Sequence, residues 1–500
     1  MMGFFEKMKE NANYTRTLNG AVAHASTGEA CLDFFAVAGG MRYRKRDEQI
    51  RLFERAYIED PELAMKLLFH IRDIRQGMGE RQMFRTLLRH IAFTWPNSAR
   101  KNAQYIAEYG RFDDLFCLLE TPAHASAVQV IKEQLEKDML SYEKRQNGDI
   151  DAPISLLAKW MPSDNASSSK TRKLAGKMMA ALHMEQRRYR KMLTSLRSSI
   201  ALTEKYLTKN TIDKVRYEAV PAQAMMKYRN AFERKDRERF SGYIANVIAG
   251  KEKMHADTLF PYEVLRPYFR NFCITTPNGE MTLEALWKSM SAKPGNDNAL
   301  SVIDTSGSMY CPCGKDAPIP ALISQAMGIY AAERCTGVFH NKFITFESKP
   351  HVMELKGNTL RDKLKYLQGA PWGGSTNLSA VFKLILDTAV KNNMNGEEMP
   401  KVLYIFSDME FNCAMGDADK TVYEDAKEMF EAYGYRLPAV VFHNVNSWQM
   451  QAPVTAHTNG AALVSGASVH SLTEKFDGNV TPISHMLRVL NGKRYEVIHA

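Results

Sequence analysis

The feature that most constrains this chain is an apolar run that stops on a carboxylate: Ala299-Leu300-Ser301-Val302-Ile303 leads into Asp304-Thr305-Ser306-Gly307-Ser308. A run this short and apolar suits a buried strand, and buried strands belong to mostly parallel sheets covered by helices. Past Ile303, the side chains of Asp304, Ser306 and Ser308 offer three oxygens at alternating positions. Two more donors follow. Thr376 lies in Gly373-Gly374-Ser375-Thr376-Asn377-Leu378, and Asp408 ends a second apolar run, Val402-Leu403-Tyr404-Ile405-Phe406-Ser407. The carboxyl ends of neighbouring parallel strands share one crevice, where groups distant in sequence meet. Two carboxylates and three hydroxyls suit a hard divalent cation, Mg²⁺ or an ion such as Mn²⁺.

Asp304-x-Ser306-x-Ser308, then Thr376, then Asp408 resembles the metal-ion-dependent adhesion site (MIDAS) of von Willebrand factor A domains. The resemblance implies that Ser306, Ser308 and Thr376 bind the metal through hydroxyl oxygens, with Asp304 and Asp408 acting directly or through water. The remaining coordination position would accept an acidic group from a partner or from the chain itself. An enzymatic alternative makes Asp304 the nucleophile of a phosphatase at a strand end. Such sites place a general acid two residues later, and here that residue is Ser306, which cannot serve at neutral pH. The expectation is a protein that is not an enzyme.

From residue 296 onward strands and helices alternate. Strands are expected at 299–303, 342–346, 351–355, 401–406, 438–443 and 461–465, with helices near 318–335, 359–367, 378–392, 421–433 and 481–490. This is the pattern of an α/β doubly wound (Rossmann-like) domain over 296–500, with 342–346 and 351–355 as an antiparallel edge hairpin. Residues 1–295 read differently. Asp60-Pro61-Glu62 supplies an N-cap, an N1 proline and an early acid to a helix whose apolar face is Ala64, Leu67, Leu68 and Ile71. After the breaker Gln76-Gly77-Met78-Gly79, a second helix presents Phe84, Leu87, Leu88 and Ile91. Short helices joined by tight turns indicate an α-helical repeat, HEAT-like in its stacking.

Charge is concentrated in this helical part. Residues 151–253 hold 22 Lys and Arg against 10 Asp and Glu, whereas residues 297–500 hold 18 against 21. A field so localised attracts polyanions, nucleic acid foremost. After the polar loop Ser163–Ser169 come Lys170, Arg172, Lys173 and Lys177, then Arg187, Arg188, Arg190, Lys191 and Arg197, with Tyr189 among them as a ring on which a base could stack. A second cluster, Lys227–Arg239, is interleaved with Glu233, Asp236 and Glu238 and reads as a helix face laced with ion pairs.

Four segments, Asn13–His24, Tyr109-Gly110-Arg111-Phe112-Asp113-Asp114-Leu115, Lys159-Trp160-Met161-Pro162-Ser163 and Tyr189-Arg190-Lys191-Met192-Leu193, resemble a bacterial and phage family of unassigned function related to the Ro autoantigen proteins. Those join a helical-repeat ring, the TROVE module, to a C-terminal A domain and bind small noncoding RNAs. The resemblance implies a ribonucleoprotein-forming, RNA-binding chain, Ro-like in handling small or misfolded RNA, whose A domain docks an acidic partner. The alternative is a metal-dependent protein–protein adaptor without RNA.

Composition narrows the remainder. No apolar stretch approaches the ~20 residues that span a bilayer, so no membrane is expected. The N-terminus lacks a signal-peptide pattern. Seven scattered cysteines fit a reducing, cytoplasmic setting. Cys311-Pro312-Cys313 lacks the spacing of a zinc site, and no phosphate-binding G-x-x-x-x-G-K-[ST] loop occurs.

Overall fold

A short antiparallel hairpin opens the fold: β1 (Tyr14–Arg16) pairs with β2 (Val22–His24). The computed structural model describes Met8 and residues 13–200, 202–270, 273–291, 295, 298–311, 314, 317–346, 348–369 and 374–500. Helices Ala30–Ala38, Arg46–Glu59, Pro61–Arg72 and Arg81–Thr94 follow the hairpin, each packed on its predecessor. The Asp60 carboxylate accepts the Leu63 N–H at 2.9 Å, so the helix starts where the capping pattern places it. Both expected apolar faces, Ala64, Leu67, Leu68, Ile71 and Phe84, Leu87, Leu88, Ile91, are fully buried. Further on stand a 23-residue helix, His124–Gln146, and helices Ser169–Ala181, Gln186–Ser199, Ala222–Lys235, Arg237–Ile248 and Glu280–Ser289.

One buried ionic knot ties these helices. Asp114, with no exposed surface, accepts Arg72 Nε at 2.8 Å, Arg85 Nε at 2.5 Å and the Arg111 backbone N–H at 2.9 Å. Arg72 itself is almost fully buried, so each charge depends on the other for its solvation.

A two-residue ribbon, β3 (Phe269–Arg270) with β4 (Cys273–Ile274), precedes the main sheet. That sheet comprises β5 (Ala299–Asp304), β6 (Lys342–Phe346), β7 (His351–Glu354), β8 (Val402–Ser407), β9 (Ala439–Asn444) and β10 (Ala461–Ser465). Its spatial order is β10-β9-β8-β5-β6-β7, parallel throughout except for the edge pair β6–β7. All six expected strands are present and the expected hairpin forms the edge. Every residue of β5, β8, β9 and β10 is buried, because helices cover both faces. Ile303, Tyr404 and Val441 belong to the same core as the helix Pro320–Arg334, while Val302, Ile405 and Phe442 share a core with helices Leu378–Lys391 and Val422–Ala432. The strand order reverses between β5 and β8, which is where ligands sit in open sheets of this kind.

The helix Glu280–Ser289 gives way to the main sheet at β5, and packing crosses between the two parts. At one end, Ser465 Oγ at the tip of β10 donates to Phe35 O at 2.9 Å and accepts the Gly39 N–H at 2.9 Å. The approach is so close that a Cβ on Gly39 would stand 2.4 Å from Ser465 O. At the other end, Met486, Leu490, Tyr495 and Ile498 join the core of the first helices, and Arg494 Nε donates to the Asp73 carboxylate at 2.8 Å.

Candidate metal centre

Because β5 and β8 are parallel neighbours, their carboxyl ends bring Asp304 and Asp408 side by side. Asp304, Ser306, Thr376 and Asp408 are all at most 2% exposed, and Ser308 is half-buried. The turn after β5 is held by its own carboxylate: Asp304 Oδ1 accepts the Ser306 N–H at 2.8 Å, and Asp304 Oδ2 accepts Ser407 Oγ at 2.5 Å. Ser306 Oγ and Ser308 Oγ lie 3.2 Å apart, and the Ser308 hydroxyl also bonds the Asp408 carboxylate. Four of the five expected donors therefore form one connected group.

Thr376 joins through the loop that follows β8. Asn412 donates its backbone N–H to Thr376 O at 2.9 Å and its side-chain amide to Ser375 Oγ at 2.7 Å. The same loop is strained. Met409, directly after Asp408, sits at φ 67°, a left-handed conformation unusual for a methionine, and its N–H is taken by Ser407 Oγ at 3.1 Å.

Electrostatics give this group its chemistry. Burial pushes the Asp304 carboxyl well above the usual carboxylate range; burial, then the neighbouring Asp304, does the same to Asp408. Asp408 Oδ1 accepts the Glu410 N–H at 3.3 Å, whereas Oδ2 is buried with no hydrogen-bond partner. Two adjacent buried carboxyls with an unsatisfied oxygen can share a proton or a cation. The residues fit a cation. The donor set is all oxygen, hydroxyls and carboxylates, as a hard divalent ion prefers. Among the described residues no group of three or more His, Cys, Asp or Glu could hold a metal. Cys311 is exposed, and Cys313 lies outside the described residues.

Three residues of this region were missed by sequence reasoning. Ser407 sits inside the strand run and reads as core. Glu410 is 1% exposed; its carboxylate accepts the Leu18 N–H at 2.7 Å and Gln451 Nε2 at 3.0 Å. Asn19, from the opening hairpin, reaches Thr376. Only Ser407, adjacent to Asp408, carries any local signal.

The basic segment needs correction. Tyr189 is fully buried and donates its hydroxyl to Pro162 O at 2.7 Å, so its ring belongs to the core and no base can stack on it. Arg197 is also structural: it donates to Ala158 O at 2.8 Å, Met161 O at 2.7 Å and Ser163 Oγ at 2.8 Å. Arg172 caps the carbonyls of Ala166 and Ser167, Lys177 pairs with Glu120, and Arg190 pairs with Asp164 at 2.6 Å. Lys170, Lys173, Arg187, Arg188 and Lys191 are exposed and form no ion pair among the described residues. Arg188 and Lys191 line a 660 Å³ groove together with Lys132 and His183, over a floor of Leu135, Met139 and Met192 and beside Glu136 and Glu143.

Fold and site together define a class: a helical module interleaved with a mostly parallel α/β domain that gathers oxygen donors at its switch point. The chain belongs to the family of the domain of unknown function DUF2828, whose model matches residues 17–130 and 123–293. A second model, the domain of unknown function DUF7788, matches residues 298–482. The uncharacterized protein L728 of Acanthamoeba polyphaga mimivirus is 30% identical over 520 residues, covering 96% of this chain and 87% of its own length. Among solved structures, the Ro (RSR) protein of Deinococcus radiodurans is similar at 14% identity and a TM-score of 0.47, covering 94% of this chain and 100% of that one.

Proposed function

We propose that this chain is a non-catalytic, Ro-like RNA-binding protein whose α/β domain is of the von Willebrand factor A type and holds one Mg²⁺ or Mn²⁺ at a MIDAS-type site. The observation that carries the metal reading is the pairing of Asp304 and Asp408, two buried carboxyls at neighbouring strand ends in the same turn region as the Ser306 and Ser308 hydroxyls, with Asp408 Oδ2 unsatisfied. A cation there relieves both the repulsion and the orphaned oxygen. Its remaining coordination position docks an acidic group of a partner. The phosphatase alternative lacks its general acid, because Ser306 stands two residues after Asp304, where that acid would be needed. RNA phosphates would lie along Lys170, Lys173, Arg187, Arg188 and Lys191, the cations that the fold leaves exposed.

A second reading, a metal-dependent protein adaptor without RNA, draws on the internal engagement of Tyr189, Arg197, Arg172, Lys177 and Arg190. Base absorbance in the purified protein favours RNA; a protein partner released by chelator favours the adaptor. No helix among the described residues is long and apolar enough to cross a membrane.

The metal reading is tested by thermal unfolding with and without Mg²⁺. At a hundredfold excess over Kd, one bound ion stabilises the native chain by about 2.7 kcal/mol, a readily visible rise in melting temperature. Asp304→Ala is expected to abolish that rise. An equal Mg²⁺-dependent rise in the variant places the ion elsewhere and sinks the assignment.

A further inference from the structure

We infer that the opening hairpin is a working part of the cation site, with Asn19 as the residue that positions it. This rests on the metal reading above. The hairpin tip meets both loops that carry cation ligands. Asn19 Nδ2 donates to Thr376 Oγ1 at 3.3 Å and to Glu410 O, two residues past Asp408, at 2.5 Å. Glu410 O can only accept, so the amide is oriented with its nitrogen toward these loops. Around it, Thr17 Oγ1 donates to Phe411 O at 2.6 Å, the Leu18 N–H donates to Glu410, and Cys413 Sγ donates to Gly20 O at 3.2 Å. Backbone bridges Gly20–Asn412, Val22–Thr421 and His24–Ala452 continue the attachment down the hairpin. The tip turn needs Gly20, which sits at φ 91° with Cys413 Sγ only 3.4 Å from where a Cβ would be.

The chemistry of Thr376 explains what Asn19 does. A threonine hydroxyl has two lone pairs and one hydrogen. With one lone pair taken by the Asn19 N–H, the other is left for a cation and the hydroxyl hydrogen is turned away from it. Fixing the orientation of a metal ligand in this way strengthens the site without touching the ion. By grasping Glu410 O as well, the same amide sets the distance between the Thr376 loop and the Asp408 loop. Whatever favours the ligand geometry also favours the docked hairpin, so the two equilibria are linked and the linkage is reciprocal. The hairpin thus clamps the cation, and the cation tightens the hairpin.

Two measurements on the full chain test this. Calorimetric titration with Mg²⁺ should show Asn19→Ala binding on the order of 10-fold more weakly than the parent, while its unfolding midpoint in EDTA stays close to the parent's. Hydrogen exchange of the amides of residues 14–24 in the unaltered protein should slow when Mg²⁺ is added and should not respond in Asp304→Ala. Parent-like Mg²⁺ affinity in Asn19→Ala, or hairpin exchange indifferent to Mg²⁺ in a protein that binds it, overturns the inference and leaves the metal reading standing. Absence of any Mg²⁺ heat in the parent overturns both.

Discussion

Replacing Asp114 by alanine is expected to cost about 3–5 kcal/mol of folding stability. The carboxylate has no exposed surface and receives Arg72 and Arg85 together with the Arg111 N–H. Removing it strands Arg72, itself almost wholly buried, as an uncompensated charge between the helices Pro61–Arg72 and Arg81–Thr94. Arg85 retains Asp113 at 2.8 Å, so the loss falls mainly on Arg72. A urea melt of the variant should show its first transition at clearly lower denaturant. A shift equivalent to less than about 1 kcal/mol, the value of an exposed pair, would mean that water reaches this knot. The Tyr109–Leu115 segment, which carried part of the resemblance to Ro-related chains, therefore does structural work between helices.

The second large effect concerns nucleic acid. Changing Lys170, Lys173, Arg187, Arg188 and Lys191 together to alanine removes five exposed cations without breaking an ion pair among the described residues. Each phosphate contact on a single strand contributes about 0.7 to the slope of log affinity against log salt. Loss of five such contacts should flatten the slope by about 3.5 units and weaken binding at low salt by several orders of magnitude. Tyr189→Phe, by contrast, should leave RNA affinity unchanged. Fluorescence anisotropy with a labelled RNA at several salt concentrations measures both. An unchanged slope in the five-residue variant removes this face from the RNA reading.

Much of the architecture was legible because its causes are local. Apolar runs ending on Asp304 and Ser407-Asp408 marked two central strands, and the short pair expected at 342–346 and 351–355 forms the edge hairpin, with its second strand ending at Glu354. Four of the five metal candidates follow directly from those strand ends. What escaped the sequence depends on contacts between distant segments. Asn19 meets Thr376 across 357 residues and Glu410 across 391, and nothing near Asn19 announces either. The C-terminal return of Tyr495 and Ile498 onto the first helices is invisible for the same reason. Tyr189 is a different case. Tyr189, Met192, Leu193 and Leu196 follow i, i+3, i+4, i+7 spacing and all four are buried. The apolar period was present, and the surrounding arginines drew attention from it.

Diffraction from crystals soaked in Mn²⁺, read through the ion's anomalous signal, tests the central claim most directly. One peak is expected at the switch point between β5 and β8, within contact distance of the Ser306, Ser308 and Thr376 hydroxyls and flanked by Asp304 and Asp408. A protein that takes up Mn²⁺ with no peak there, or with the ion bound at another cluster, would contradict the account.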